Sequence, residues 1–448
     1  MQCIFFNGSS ILGRGVPAEG VAENAGRRLE REGETSPYFM EIIMKKEKYI
    51  NTGIYSEVKI VENEIVSFNK YDKTTTSFRV YKDGFVGVHF QQGKLTDKEG
   101  FGKAEANLAL KRQYPFELEG GVRELDKTEK LLTDEELMKR ARAELSYLRK
   151  AHPDFTFSGS FFSNLYCEQQ KNSAGMNYSV RDGHNGVSIC FKHKDSKDID
   201  DGYFNMNLRN GFSSKKFRAM ADNYLSNFTK QVELPKELII MMPEWNLNGK
   251  LKDSLNAEKL ALGTSLLSGK IGEKVFGDGL TIYHDVTKKN IWMSTFWDAD
   301  GIVHKGDKLC YIKNGKVLRG FADKRIAAKY GVECTGSAYC NYSDIPNNGW
   351  VNFRITPLKK TPKEILDGRL AVLPVQFNGG GFSDTGDYAM PVQMAYLTDG
   401  EKILGRLPPF TMRSNLFDIF GKDFLGVSKY TDIWNKGMML VKMEAGKL

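Results

Sequence analysis

Leu266-Leu267-Ser268-Gly269-Lys270-Ile271-Gly272-Glu273-Lys274-Val275-Phe276 opens the stretch around which this chain is organised. It continues through Leu280-Thr281-Ile282-Tyr283-His284-Asp285 and Phe296-Trp297-Asp298-Ala299-Asp300-Gly301-Ile302. Glu333-Cys334-Thr335-Gly336-Ser337-Ala338 and Val351-Asn352-Phe353-Arg354-Ile355 close it. Short apolar runs alternate here with Gly, Asn and Asp, which predicts strands over 281–284, 308–321 and 350–355. Asn314-Gly315 turns the middle run back on itself, because both residues tolerate positive φ. A helix is expected over 322–330, with Gly331 just past its end as the C′ residue. Strands and helices mix without strict βαβ alternation, so the fold class is α+β, with mixed and antiparallel sheets and packed helices.

The same punctuation extends outward. Downstream, Thr361-Pro362-Lys363-Glu364 starts a helix, with Thr361 capping, Pro362 at N1 and Glu364 at N3. Strands follow over 370–377 and 392–404, turned at Asp399-Gly400, and a helical turn or two over 414–420. Upstream, 238–242 is a short apolar strand ended by Pro243, and 248–262 reads as one helix. In the first half, strands begin at Tyr55 and turn at Glu62-Asn63 and at Lys82-Asp83-Gly84. A helix over 98–113 is stopped by Pro115. Thr133-Asp134-Glu135-Glu136 is a capping box, followed by Leu137, Ala141, Leu145 and Leu148 at helical spacing. Residues 155–212 read as β, with turns at 172–175, Asp182-Gly183-His184 and Asp201-Gly202. A helix over 214–228 closes this half. The expected organisation is a weakly ordered extension over 1–40, an N-terminal α+β domain over 41–230 and a β-rich C-terminal α+β domain over 231–448.

Composition narrows the function classes. The 64 basic and 56 acidic residues leave a net charge of +8. Spread over 448 residues, that is not a nucleic-acid footprint, and no specific nucleic-acid partner is expected. The six cysteines form no C-x-x-C pair, which reads as reduced thiols in a cytoplasmic protein. No apolar run approaches the ~18 residues of a membrane span, and the first residues lack a signal-peptide pattern.

In their order and spacing, the motifs of 266–352 resemble the C-terminal core of the TldD/PmbA family, which contains a two-subunit metalloprotease also known as a modulator of DNA gyrase. Glu57-Val58, Arg79-Val80 with Asp83-Gly84 and Gly87, and Thr385-Gly386-Asp387 extend the resemblance. The metal-bearing subunit of that family carries H-E-x-x-x-H on a helix, where two imidazoles hold zinc and the Glu serves as base. The corresponding segment here, 247–260, contains no histidine. The resemblance is therefore to the PmbA (TldE) half. It implies a non-catalytic subunit of a metalloprotease complex acting on unfolded or leader peptides. No cofactor is expected in this chain, and zinc is expected in a TldD-like partner subunit. The dimer would be a heterodimer with that subunit or a homodimer.

The remaining chemistry is sparse. The six histidines, among them His89, His152, His184 and His193, show no i,i+4 pair. His284-Asp285 sits on a strand, where neighbours face opposite sides and would not chelate one ion. Ser268-Gly269-Lys270 lacks a full phosphate-binding loop. Trp297-Asp298-Ala299-Asp300-Gly301 suits a turn better than a calcium loop. The densest glycine loop is 378–387. Its residues Gly379, Gly380, Gly381, Thr385, Gly386 and Asp387 are the candidate peptide-binding set, through β-strand addition of an extended peptide. Two other readings stand beside this one. The first is a stand-alone metallohydrolase with a non-standard site around His284, His304 and nearby acids. The second is a peptide-binding homodimer without protease activity.

Overall fold

A computed structural model describes residues 44–448, apart from 94, 209–210, 341–342, 378, 432–433, 435 and 447–448. The extension expected over 1–40 lies outside the described residues. Among the described residues, the first half holds a seven-stranded sheet. Its strands are β1 (Lys45–Val61), β2 (Glu64–Lys82), β3 (Phe85–Gln92), β4 (Val122–Asp126), β5 (Phe155–Asn172), β6 (Asn177–His193) and β7 (Gly202–Leu208). The order is β3-β2-β1-β5-β6-β4, with β7 also on β6. Glu62 and Asn63 turn β1 into β2, and Asp83 and Gly84 turn β2 into β3, all four at positive φ. That is the backbone a two-residue hairpin requires. Helices α1 (Asp97–Ala106), α2 (Asp134–Ala151) and α3 (Ser214–Leu225) accompany this sheet. Both α1 and α2 begin with capping boxes, Thr96 with Glu99 and Thr133 with Glu136.

Strand β1 starts at Lys45, ten residues before the sequence pattern suggests. Tyr49 to Tyr55 are all half-buried, so the apolar alternation that announces a strand is missing there. Asp182-Gly183-His184 corrects a second expectation. These residues lie inside β6, paired with Tyr166, Leu165 and Asn164, and form no turn.

The second half begins with β8 (Leu238–Met242), α4 (Asn248–Ser254) and α5 (Ala257–Ala261). The single helix expected over 248–262 is broken because Asn256 caps α5 through the Glu258 N–H. The central stretch supplies β9 (Ile282–Asp285), β10 (Lys308–Lys313), β11 (Lys316–Val317), α6 (Lys324–Tyr330), β12 (Ala338–Tyr339), β13 (Asn347–Asn348) and β14 (Phe353–Ile355). Strands β11-β10-β9-β14 form one small sheet and β12-β13 a ribbon. Then come α7 (Pro362–Leu366), β15 (Ala371–Phe377), β16 (Gly381–Phe382), β17 (Asp387–Thr398), β18 (Ile403–Leu407), β19 (Phe410–Asn415), α8 (Leu416–Phe420), β20 (Phe424–Val427) and β21 (Met439–Gly446). The pairings β15-β8-β21-β19-β17 close into a ring, because β17 also pairs with β15.

The ring explains the run Leu238-Ile239-Ile240-Met241-Met242. Ile239 and Met241 face one core, while Leu238, Ile240 and Met242 face another. A strand covered on both sides reads as continuously apolar rather than alternating. The first core also takes Val58, Ile60, Phe157 and Phe161 from the N-terminal sheet and Leu137, Leu145 and Leu148 from α2. Each such side chain contributes about 1.5–3 kcal/mol by leaving water. The opposite face of the sheet is polar and aromatic. By register, Glu47, Tyr49, Asn51 and Gly53 of β1 share it with Arg79 of β2 and with Tyr166, Glu168 and Gln170 of β5.

Candidate functional site

The glycine loop is an edge. Gly379 and Gly380 adopt positive φ, which suits glycine. A Cβ on Gly380 would stand 2.4 Å from the Ala389 carbonyl oxygen. Gly381 and Phe382 form β16, which pairs with Ala389 and Tyr388 of β17 and ends the sheet order. Asn378 lies outside the described residues. Beyond β16 the turn is tied internally. Thr385 Oγ1 donates to Asp387 Oδ2 at 2.8 Å, the Asp387 N–H donates to Ser383 Oγ at 3.1 Å, and Gly386 O accepts from the Leu416 N–H at 2.8 Å. The structure brings Gly379, Gly380, Gly381, Thr385, Gly386 and Asp387 into one hairpin. The polar side chains stiffen it, and β16 carries the outer edge.

The α4–α5 segment shows what stands at 247–260. Leu247, Leu251 and Leu255 point into the ring core. Lys252 is mostly buried, and burial pushes its pKa down.

Two histidines distant in sequence meet behind this segment. The His284 and His304 ring centroids lie 5.2 Å apart, and Trp350 stacks edge-on to His284 at 4.6 Å. His284 Nδ1 accepts the Asn352 N–H at 3.0 Å. The Nε2 atoms of both rings are buried with no hydrogen-bond partner. Burial, and then the neighbouring His304, push His284 down to about 3; burial also lowers His304. Asp285 faces away from this pair, as strand geometry requires. It accepts from Thr287 Oγ1 at 2.6 Å, Asn290 Nδ2 at 2.7 Å and Lys308 Nζ at 2.8 Å. Among the described residues, no group of three or more His, Cys, Asp or Glu side chains is placed to hold a metal ion.

The largest constellation that sequence reasoning missed lies on the polar face of the N-terminal sheet. Residues 293–299 and 338–340 cover that face and enclose a cavity of about 220 Å³. Its lining includes Tyr49, Tyr166, Trp297, Tyr339 and Trp350, with Arg79, Glu168 and Asp298 among them. The cover is hydrogen-bonded to the floor. Trp297 Nε1 donates to Gln170 Oε1 at 2.6 Å, and Gln170 Nε2 donates to Ala299 O at 3.3 Å. Arg79 is almost fully buried; its terminal nitrogens are bonded and its Nε has no partner. Nη1 reaches Glu47 Oε1 at 2.8 Å and Ala299 O at 3.4 Å, and Nη2 reaches Cys340 Sγ at 2.7 Å. Asp298 accepts N–H groups from Asp300, Ile302 and Ala338 at 2.8–3.0 Å, which fixes the turn that the sequence suggests at 297–301. Tyr114 donates to Asp300. Burial pushes Asp300 up to about 6, and it pushes Asp298 up as well, with the charge of Asp300 adding to the shift. The one local signal for this cluster is Glu47 and Arg79, direct partners on the adjacent strands β1 and β2, one residue out of symmetry about the 62–63 turn because of the bulge at Lys59 and Ile60. It is visible only once β1 is known to reach Lys45.

The fold defines a class of protein: an α+β chain in which a ring-closed sheet is joined to a seven-stranded mixed sheet. A TldE from Thermococcus kodakarensis has the same fold, with a TM-score of 0.72 and 18% identity, covering 90% of this chain and 96% of that one. Residues 246–443 match the family model described as the PmbA/TldA metallopeptidase C-terminal domain. An uncharacterized protein of Methanocaldococcus jannaschii is 25% identical over 386 residues, covering 82% of this chain and 90% of its own length. A protein of Archaeoglobus fulgidus named metalloprotease is 23% identical over 392 residues, covering 80% and 86%. The C-terminal part of the chain, residues 246–443, carries the PmbA/TldD family's domain, and the relatives named above extend the similarity over most of its length.

Proposed function

We propose that this chain is a non-catalytic subunit of a PmbA/TldD-type metalloprotease complex, which presents unfolded or leader peptides to a metal-bearing, TldD-like partner. The observation that carries this reading is the composition of α4 and α5. Where the family's metal-bearing subunit has H-E-x-x-x-H, this chain has leucines packed into the core and lysines on the remaining face. Lysine amines and leucine side chains cannot activate a water on zinc.

The edge strand β16 supports a role in peptide handling. An extended peptide laid beside it would continue the ladder by main-chain hydrogen bonds, with open space where side chains would stand at Gly379 and Gly381. Thr385, Gly386 and Asp387 would hold the hairpin in place rather than touch the reacting bond. The division into an N-terminal domain over 41–230 and a C-terminal domain over 231–448 belongs to the same proposal, the first serving as wall and the second as edge.

The test is metal content and peptidase activity on an unfolded peptide. It compares this chain alone, the H-E-x-x-x-H relative alone, and the two mixed. The expected result is a metal-free, inert chain that increases cleavage by its relative. One zinc per molecule together with cleavage by the chain alone would overturn the reading and return His284 and His304 to consideration as ligands.

A further inference from the structure

We propose that the cavity beneath residues 293–299 binds an organic ammonium, the head of a lysine side chain or a similar alkylammonium. The inference stands whether or not the chain joins a protease. It starts from the walls. Five aromatic residues line the space, and the negative face of an aromatic ring attracts a cation within about 6 Å of its centroid. The charges point the same way. Arg79 lines the cavity, but Glu47 neutralises it at 2.8 Å, and Tyr81 donates to the same Glu47 oxygen at 3.1 Å. The other acidic lining residues are Glu168 and Asp298, both buried; Glu168, which also accepts from Asn51 Nδ2 at 2.6 Å, is the carboxylate the proposal rests on, because burial favours the neutral form of Asp298.

Two rival ligand chemistries fit less well. An anion would need donors from Arg79. Its terminal nitrogens reach Glu47, Ala299 and Cys340, its charge is balanced by Glu47, and Nε alone is left without a partner, too few donors to hold an anion. An inorganic cation would need converging ligands, and no such group of three exists among the described residues. Aromatic walls with scattered carboxylates suit a soft, weakly hydrated cation instead. The volume of about 220 Å³ equals roughly seven waters at ~30 Å³ each, which is room for a butylammonium head and little more. Access is also provided. Gly53, beside Tyr166 on the same face, has nothing within 4 Å where a side chain would stand. An extended chain can therefore cross the sheet there while its side chain enters the cavity.

The full chain is titrated by calorimetry with Nα-acetyl-lysine amide, its uncharged norleucine analogue, its glutamate analogue, and zinc chloride. Saturable binding of the lysine compound is expected, with the norleucine compound at least about tenfold weaker. Glu168→Gln should weaken the lysine compound about tenfold and leave norleucine unchanged. Trp350→Leu should weaken lysine more than norleucine. Equal binding of lysine and norleucine, preference for glutamate, displacement of lysine by stoichiometric zinc, or no saturable binding of the lysine compound would each overturn the proposal. Circular dichroism checks the fold of each variant. If both variants unfold, the wild-type ligand panel still decides.

Discussion

His284 should make the folded chain acid-labile by an amount that can be worked out. In the unfolded chain an imidazole titrates near about 6.5. In the folded chain burial holds it neutral down to about 3. Below about pH 6.5 the unfolded state therefore takes up a proton that the folded state refuses. The contribution of His284 to stability is fully present above the unfolded value. It declines as pH falls from about 6.5 to about 3, and levels off below. Each pH unit inside that window costs about 1.4 kcal/mol, so at about pH 4.5 the loss is about 3 kcal/mol. The perturbation is His284→Asn, which offers an amide oxygen to the Asn352 N–H in place of Nδ1. Loss of the ring contacts with His304 and Trp350 should cost about 2–3 kcal/mol at neutral pH. The informative quantity is the slope, measured from urea unfolding at about pH 7.5 and about pH 4.5. The wild type should lose about 3 kcal/mol more than the variant over that interval. An equal loss in both would refute the reasoning and show that His284 is reached by a proton in the folded state.

Two further perturbations test the sheet itself. Glu47→Ala strands the buried Arg79 guanidinium and should cost about 3–5 kcal/mol in urea unfolding, with part of the loss recovered when Arg79→Met is added. Gly87→Ala would place a Cβ 1.9 Å from the Ala104 oxygen in α1 and should destabilise by about 1–3 kcal/mol. Gly102→Ala in the same helix meets nothing within 4 Å and should stabilise by up to about 1 kcal/mol, so similar melting shifts for the two would contradict the packing described.

The features legible in the sequence were those with local causes. The hairpins at Asp83-Gly84 and Asn314-Gly315 need positive φ, and the residues present are those that tolerate it. The Thr133 and Thr361 capping boxes are satisfied within four residues, and both form as read. The run 238–242 was recognisable as a strand, although its burial on two faces depends on strands that come far later. What escaped was set by distant neighbours. Gly183 sits mid-strand under Leu131, where a turn seemed the simpler reading of Asp-Gly. The start of β1 was hidden because one face of its sheet lines a polar cavity rather than a core.

For the candidate site, the glycine hairpin was visible because glycine density is a local signal. His284 and His304 could be named together, but not placed. The cavity was not visible at all. It joins Glu47 and Arg79 to Trp297, Asp298 and Cys340 across more than two hundred residues, and no single one of these residues stands out in its own surroundings. The turn at 297–301 was read correctly as a turn. That its carboxylates are buried against another sheet follows from tertiary packing alone.

The closed ring has a consequence for how the chain is made. Strand β8 lies between β15 and β21, and β21 emerges from the ribosome about two hundred residues after β8. Until then β8 offers a bare apolar edge on one side, and its hydrophobic faces have only part of their cover. Loop closure over such a distance is slow, and an open edge is a template for pairing with other chains. Strand β21 therefore works as a latch: a ribosome stalled between β8 and β21 would hold out a chain primed to aggregate. Closure of the ring in the second half thus waits until β21 has left the ribosome.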